Sequence, residues 1–275
     1  MPIDSLTRRR ILAAVGSAGA LYLGADRAGA ALGLDPIDMN QRTVNGTYAQ
    51  SNEWGNSDDA PPLIGLSWRE TVNGAVQEET DLTTDGETGG VGLVVDEAVM
   101  PGDSGSVTMR ARLLEREDQA TASAELYLRF VLSTAAENGI VEPERTAGDT
   151  TSGADAGELD DVAEIRIWKD EGSFGTGDGE LTWGDVPVVG DTEITDGWQS
   201  IADVDESDAF DGGYQLSLGG TTCLDPTNEP EVYVSFKWDI PETLPSGAPG
   251  DDINVIQGDS ATFQISFDPR PCPGD

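Results

Sequence analysis

The chain has 275 residues and is strongly acidic, with 52 Asp and Glu against 15 Lys and Arg, a formal net charge of −37. It contains no histidine and only two cysteines, which excludes a Ser-His-Asp triad and most zinc sites. Nucleic acid and anionic membranes would be repelled by this charge, while a hydrophobic content of 37% is too high for an acidic disordered chain.

The first 30 residues have the three parts of an export signal. Arg8 and Arg9 belong to the sequence TRRRIL, which fits the twin-arginine pattern, and an apolar stretch and the small residues of positions 28–30 follow. The apolar stretch is too short to span a bilayer stably, so the pattern predicts a cleaved signal over residues 1–30 and no membrane insertion afterwards. The alternative is an amphipathic helix of the fold. The signal predicts an extracellular or cell-surface protein.

Without that segment the charge is still more one-sided. The first 30 residues hold four Arg and two Asp, so residues 31–275 retain 50 acidic and 11 basic side chains, a net charge of −39. Self-repulsion would destabilise a compact state in dilute buffer, whereas in about 1 M salt the screening length falls to roughly 3 Å. We therefore interpret the composition as that of a folded, secreted protein from a salt-loving organism.

The segment after the signal, residues 31–45, alternates apolar and polar side chains over residues 32–40, with Pro36 interrupting the phase. Its apolar positions are Leu32, Leu34, Ile37 and Met39. A strand of this kind can add to a neighbour's open sheet edge and fill pockets with every second side chain. It can equally pair within its own domain. Asn45 begins the tripeptide NGT, an N-glycosylation acceptor sequence that also occurs often by chance.

A period of two dominates residues 46–275, which we predict to be a single domain. The alternation is clearest in residues 231–240 and 261–268. Further stripes occupy residues 64–68, 107–113, 126–132, 165–167 and 214–218. Clusters of Gly, Asp, Ser and Pro separate them, as in antiparallel sheets. The predicted fold is an all-β antiparallel sandwich, jelly-roll-like, with at most one or two short helices.

Three segments depart from this alternation. Residues 154–163 have apolar side chains at helical spacing, which predicts a short helix, and the polar residues 138–153 indicate an exposed loop. Residues 101–105, Pro-Gly-Asp-Ser-Gly, are similar to the surroundings of the nucleophile in trypsin-like proteases. That mechanism needs a histidine to take the hydroxyl proton, so we predict a turn leading into a strand.

Oxygen ligands could still bind calcium. The best local cluster is formed by Asp170, Asp178, Glu180 and Asp185, although its spacing does not match the EF-hand. In so acidic a chain carboxylates also cluster by chance, and the acidic run of residues 203–211 is typical of a solvated loop. No cofactor is predicted unless calcium binds at the first of these clusters.

The two cysteines, Cys223 and Cys272, are expected to form a disulfide. An oxidising compartment favours the bond, and Cys272 lies in a tail flanked by Pro271 and Pro273 that has little else to hold it. The alternative is two free buried thiols.

Several motifs carry a resemblance to a known family. They are VMPGDSGSV at 99–107, GEL at 157–159, IRIWKDEG at 165–172, FKWDIP at 236–241, and QGDSATF at 257–263, closing at Cys272. Together they resemble the secreted TasA/camelysin-like proteins, in particular the haloarchaeal and archaeal bundling pilins. The resemblance implies a jelly-roll-like sandwich that polymerises by N-terminal donor-strand insertion into pili or biofilm-matrix fibres. It makes residues 32–40 the donor strand.

The predicted function is therefore structural and not enzymatic. We expect a secreted fibre subunit that assembles with copies of itself in high salt, with no nucleic acid partner. The alternative is a monomeric cell-surface binding module for a glycan or calcium. A hydrolase with two catalytic carboxylates is a further alternative, but no pair among so many acidic residues stands out.

Overall fold

A computed structural model describes most of the chain from residue 100 onward and several earlier strands. The described residues are 11–14, 46–48, 62–72, 75–76, 90–95, 100–115, 121–153, 155–171, 177, 179, 181, 194–228, 230–250 and 252–273. The predicted donor residues, Asn45, and Arg8 and Arg9 lie outside this set.

Thirteen strands and four short α-helices form in the described residues. The strands are β1 (Ile11–Ala14), β2 (Gly46–Tyr48), β3 (Leu63–Val72), β4 (Ala75–Val76), β5 (Gly90–Val95), β6 (Ser104–Leu114), β7 (Ala124–Glu137), β8 (Glu164–Lys169), β9 (Gln199–Ser200), β10 (Tyr214–Leu216), β11 (Cys223–Leu224), β12 (Glu231–Asp239) and β13 (Asp259–Pro271). The helices are α1 (Glu142–Ala147), α2 (Leu159–Val162), α3 (Ile201–Asp205) and α4 (Asp208–Asp211), and 3-10 turns occupy Pro226–Asn228 and Ile253–Ile256.

The strands form two antiparallel sheets. The first has the order β1-β5-β13-β7-β10, with β11 also paired to β7. The second has the order β2-β3-β6-β12-β8-β9, with β4 paired to β3. In the first sheet β13 pairs with β7 along its whole length, with a register shift between Thr262 and Phe263. The shift marks a bulge, which bends the strand locally.

The core lies between the two sheets. Along β12 and β13 the inward side chains are buried and most of their neighbours are not, because successive side chains point to opposite faces of a strand. Phe236 of the second sheet packs on Phe263 of the first, with ring centroids 5.2 Å apart, and Phe130 stacks on Phe263 at 5.3 Å. Each buried Phe contributes about 1.5–3 kcal/mol. The prediction of an all-β antiparallel sandwich is confirmed.

The helical content of the described chain differs in detail from the prediction. A helix was expected in residues 154–163 and α2 lies there, but four short helices form in the described residues where one or two were expected. Most of residues 138–153 are exposed as predicted, but the segment is not all loop, because it contains α1 with Glu144 and Ala147 buried. The segment has a proline in the first turn and a left-handed Gly148 that ends the helix. One and a half turns are too few to give a visible period.

The acidic run of residues 203–211 also has more structure than a solvated loop. It forms the end of α3 and then α4, with Val204 and Phe210 buried in the core. The carboxylate of Asp205 accepts a hydrogen bond from Leu132 N at 2.6 Å, close to the bulge in β7. Among the described helices, none has the length and apolar character needed to cross a membrane.

The predicted disulfide is present. Cys223 in β11 and Cys272, just after β13, are bonded with their Cα atoms 5.7 Å apart. Strands β11 and β13 flank the start of β7 on its two sides, where Ala124 pairs with Leu224 and with Pro271. The bond therefore ties the last described strand to the opposite flank of the same sheet.

Candidate functional site

Five carboxylates from distant parts of the sequence meet at one end of the first sheet. They belong to Glu137, Glu144, Asp149, Glu158 and Asp259, and we call them the five-carboxylate cluster. One oxygen from each of Glu137, Glu144 and Asp259 lies within 4.8 Å of the others, and the same holds for Glu137, Asp149 and Glu158. Glu137 is thus common to both groups.

The fold brings these residues together through strand ends and short turns. Glu137 is the last residue of β7, and it pairs in register with Asp259, the first residue of β13. Helix α1 supplies Glu144 and is followed at once by Asp149, whose N–H donates to the carbonyl of Glu144. Glu158 immediately precedes α2. Sheet and loop therefore contribute to the same site.

Gly157 allows the loop to approach β7 closely enough to place Glu158 in the cluster. A Cβ atom at Gly157 would lie 2.8 Å from the carbonyl carbon of Ala136 and 2.9 Å from its oxygen. Backbone atoms cannot move aside as the end of a side chain can, so only glycine fits here without a shift of the loop. The N–H of Gly157 donates to the carbonyl of Ala135 at 3.3 Å.

One oxygen of each carboxylate is held by a donor. Backbone N–H groups donate to four of them: Gly139 N to Glu137 Oε1 (2.7 Å), Val141 N to Glu144 Oε2 (2.5 Å), Thr151 N to Asp149 Oδ1 (2.8 Å) and Glu158 N to Asp259 Oδ2 (2.7 Å). The hydroxyl of Thr151 lies 2.7 Å from Asp149 Oδ1 and 3.1 Å from Glu158 Oε1, and its one proton can donate to either oxygen. The second oxygen of every one of the five is buried and has no hydrogen-bond partner. Each side chain is thus fixed at one oxygen and unpaired at the other.

Burial and mutual repulsion act together on these acids. Glu144 and Asp259 are fully buried, and Glu137 and Asp149 are nearly so. Burial, and then the proximity of Glu137, raise the pKa of Asp259 well above its usual range. Burial likewise raises the pKa of Glu144 and of Glu158, with neighbouring carboxylates adding to the shift.

Asp149 behaves differently from the other members. Burial raises its pKa, but the hydrogen bonds from Thr151 and from the backbone outweigh that effect, and the net shift is downward. In the described part of the chain, no Lys or Arg forms an ion pair with any of the five carboxylates. The cluster therefore brings five acidic groups together without a basic partner among the described residues.

Of the calcium cluster predicted from the sequence, only Asp170 lies among the described residues. Asp170 is fully buried, and its carboxylate accepts hydrogen bonds from Gly177 N (3.0 Å), Gly179 N (2.8 Å) and Ser235 Oγ (2.5 Å). These contacts anchor a turn after β8 against the outer face of the second sheet. Asp178, Glu180 and Asp185 lie outside the described residues, so their share in a calcium site stays a prediction.

The Pro-Gly-Asp-Ser-Gly sequence forms the predicted turn before β6. Gly102 has a φ of 84° and its N–H donates to the carbonyl of Ile240 at 2.8 Å. Asp103 is buried and its carboxylate accepts a hydrogen bond from Met100 N at 3.0 Å. The aspartate therefore has a local structural role in the turn.

The outer edge of β5 is a second feature of functional interest. On one side β5 pairs with β13, from Ser266 to Ala261, and on the other side it pairs with β1, from Ile11↔Val95 to Ala14↔Gly92. Strand β1 lies within the predicted export signal. The other terminal strands in the described sheets, β2, β9 and β10, are two or three residues long.

An open groove of about 370 Å³ lies beside α2 and α3. Trp198 lines it together with the acidic residues Asp161, Glu164 and Asp203 and the segment 245–249. Trp198 is 39% exposed, whereas Trp68, Trp168 and Trp238 are buried as their strand positions predict. An exposed aromatic ring beside carboxylates offers a stacking face and hydrogen-bond acceptors, which are the contacts the glycan-binding alternative would need.

The sequence analysis missed the five-carboxylate cluster because its members are spread from residue 137 to residue 259. Only the register between β7 and β13 and the fold of the 138–158 segment bring them together. Comparisons with known proteins add no direct assignment. No protein-family model matches the chain, and no curated protein is significantly similar to it.

Proposed function

We propose that this chain is a secreted structural subunit of an extracellular fibre. Its subunits would be joined by donor-strand complementation, in which the N-terminal strand of one copy completes the sheet of the next. The observation that carries the proposal is the pairing of β1 with β5. Strand β1 falls in residues 1–30, the segment that an export peptidase would remove, and its removal would leave one side of β5 without a partner.

The composition of β5 supports its role as the acceptor. Its six residues, GVGLVV, include no charged side chain and no proline, so the strand lacks the usual features that prevent edge-to-edge pairing. Its inner side is already held by β13. A strand of this length that loses its neighbour presents N–H and C=O groups to another chain.

The segment that would follow the cleaved signal is suited to fill the open edge. Leu32, Leu34, Ile37 and Met39 would each insert a side chain, and their burial would contribute about 6–12 kcal/mol at roughly 1.5–3 kcal/mol each, before the costs of association. In molar salt this contribution persists while repulsion between acidic subunits is screened. The resemblance to TasA/camelysin-like proteins supports the same function and an extracellular location.

Electron microscopy of the chain without residues 1–30 tests the proposal. In about 2 M KCl we expect fibres from residues 31–275 and none from residues 41–275. Substituting Leu34 and Ile37 with Asp should abolish the fibres, because a charge cannot enter an apolar pocket. The matched control replaces Asp35 and Asp38 in the same segment with Asn, and it should still polymerise.

A peptide experiment separates the acceptor edge from the rest of the assembly. A synthetic peptide of residues 31–40 should bind the 41–275 chain and raise its melting temperature, since a ligand that binds only the folded state stabilises it. The same peptide with Asp at positions 34 and 37 should not. If residues 31–275 stay monomeric at high concentration and the peptide has no effect, the donor-strand proposal is wrong.

A further inference from the structure

Each member of the five-carboxylate cluster has one buried oxygen without a hydrogen-bond donor. A buried carboxylate oxygen without a donor is costly, and native proteins rarely leave one unsatisfied. Here five such oxygens occur, one on each member of the cluster, and these members form two groups of three close carboxylates that share Glu137. Glu144 and Asp259 contribute theirs from side chains with no solvent exposure. A cation is a partner that several such oxygens can share.

The distances within the cluster match the first coordination shell of calcium. Calcium binds oxygen at 2.3–2.6 Å, so two oxygens on one ion are at most about 5 Å apart. Both groups, Glu137–Glu144–Asp259 and Glu137–Asp149–Glu158, keep their oxygens within 4.8 Å of one another. Because Glu137 belongs to both, the cluster can hold one ion or two ions bridged by this carboxylate.

The chemistry of the donors selects the kind of metal. All five are carboxylates, which suit hard cations, and calcium accepts six to eight oxygens in flexible geometry. Magnesium requires near-octahedral geometry and keeps several of its waters, which a buried group of five acidic side chains does not favour. We propose that the five-carboxylate cluster is a calcium-binding site.

Two further observations support this assignment. Glu137, Glu144, Asp149 and Asp259 are each oriented by a backbone N–H that donates to the other oxygen of the carboxylate, as the ligands of metal sites commonly are. Gly258 leaves room next to Glu144, because a Cβ atom there would lie 3.1 Å from Glu144 Oε1. The acidic side chains are thus held in place and the space beside them is kept clear.

Binding at this position would add a link between the 138–158 segment and the end of the first sheet, which already share hydrogen bonds. The ligands come from the end of β7, the start of β13, helix α1 and the loop before α2. Calcium would therefore fix the 138–158 segment on the sheet. This site uses none of the residues proposed for the donor strand or its acceptor edge, so it does not depend on fibre formation.

Calorimetric titration of the purified full chain tests the proposal directly. The protein is stripped with EDTA, transferred into about 2 M KCl, where weak binding by exposed carboxylates is suppressed, and titrated with CaCl₂ or MgCl₂. We expect one or two calcium ions to bind saturably with a Kd of about 5 µM or tighter, and magnesium to bind at least tenfold more weakly.

Thermal unfolding measures the coupling to the fold. Calcium at about 5 mM, a thousandfold excess over that Kd, should raise the melting temperature by about 8–16 °C for a domain of this size. The variants Glu144→Gln and Asp259→Asn should lose most of this shift. Their amides keep the shape and cannot carry a negative charge, so both variants should melt at least as high as the unsubstituted chain in EDTA.

Matched controls distinguish the site from the general acidity of the chain. Glu206→Gln and Asp208→Asn make the same changes at exposed positions around α3 and α4, and both variants should keep the full calcium shift. The proposal is overturned if the full chain shows no saturable calcium binding. It is equally overturned if calcium stabilises the cluster variants as much as the control variants. The titration does not require a variant to fold.

Discussion

The disulfide between Cys223 and Cys272 gives a stability prediction that can be worked from the fold. Replacing both cysteines with Ser removes a cross-link between positions 49 residues apart. On the chain-entropy model, a closed loop of that size lowers the conformational entropy of the unfolded chain enough to stabilise the fold by about 4 kcal/mol at 25 °C. The loop contains the whole of β12 and of β13, so both sheets depend on it.

Urea unfolding at equilibrium in about 2 M KCl is a suitable assay, because urea is uncharged and leaves the screening unchanged. We expect the double variant to lose about 4 kcal/mol of unfolding free energy and to show a larger m-value, since its unfolded state is less compact. Treating the unsubstituted chain with a reductant is the matched control and should give the same loss.

Two results would refute this reasoning. One is a loss below about 1 kcal/mol with an unchanged m-value, which would mean that the unfolded chain is already compact around this loop. The other is a stability of the reduced chain well above that of the double variant. In that case the effect would come from the Ser side chain at the buried Cys272 and not from the cross-link.

Three further predictions concern packing, a buried acid and salt. Gly105→Ala should lower the free energy of unfolding in urea by about 1–3 kcal/mol, because the new Cβ would lie 2.4 Å from the indole nitrogen of the buried Trp238. Its control, Gly212→Ala, places a Cβ with no atom within 4 Å and should change that free energy by no more than about 0.5 kcal/mol. Asp170→Asn should lower the free energy of unfolding by about 1.5–3 kcal/mol in the same assay, because it weakens the hydrogen bonds to this buried side chain. Its control, Asp252→Asn at an exposed N-cap, should leave the free energy of unfolding nearly unchanged. In EDTA the melting temperature should rise steadily from about 0.1 to about 2 M KCl as screening increases, and a flat profile would contradict destabilisation by self-repulsion.

The long strands could be predicted because their burial follows their sequence. In β12, Val232, Val234, Phe236 and Trp238 are buried, and of the residues between them only Ser235 is. Ser235 lies on the outer face of the second sheet, where it donates to Asp170. Alternation thus identifies the inner face but cannot show that a loop covers part of the outer one. Strands of two or three residues, such as β9 and β11, are too short to show a period.

The functional features were harder to predict for different reasons. The pairing of Ile11–Ala14 with β5 joins residues about 80 positions apart, and no local pattern specifies such a partner. The five-carboxylate cluster depends on one register, Glu137↔Asp259, and on a turn that only Gly157 permits. The disulfide was predictable because only two cysteines exist, which leaves one pairing.

The position of β13 has a consequence for how the molecule is made. This strand lies between β5 and β7, pairing with β7 along its whole length and with β5 from Ala261 to Ser266, yet it follows both of them in the sequence and leaves the ribosome after them. Until residue 271 has emerged, β5 and β7 have no common neighbour and the apolar surfaces of the first sheet stay open. We expect nascent chains that stop before residue 259 to be kept soluble by their charge alone and to be easily digested by proteases. We therefore expect closure of the first sheet to wait for the synthesis of β13, because no earlier described strand pairs with both β5 and β7.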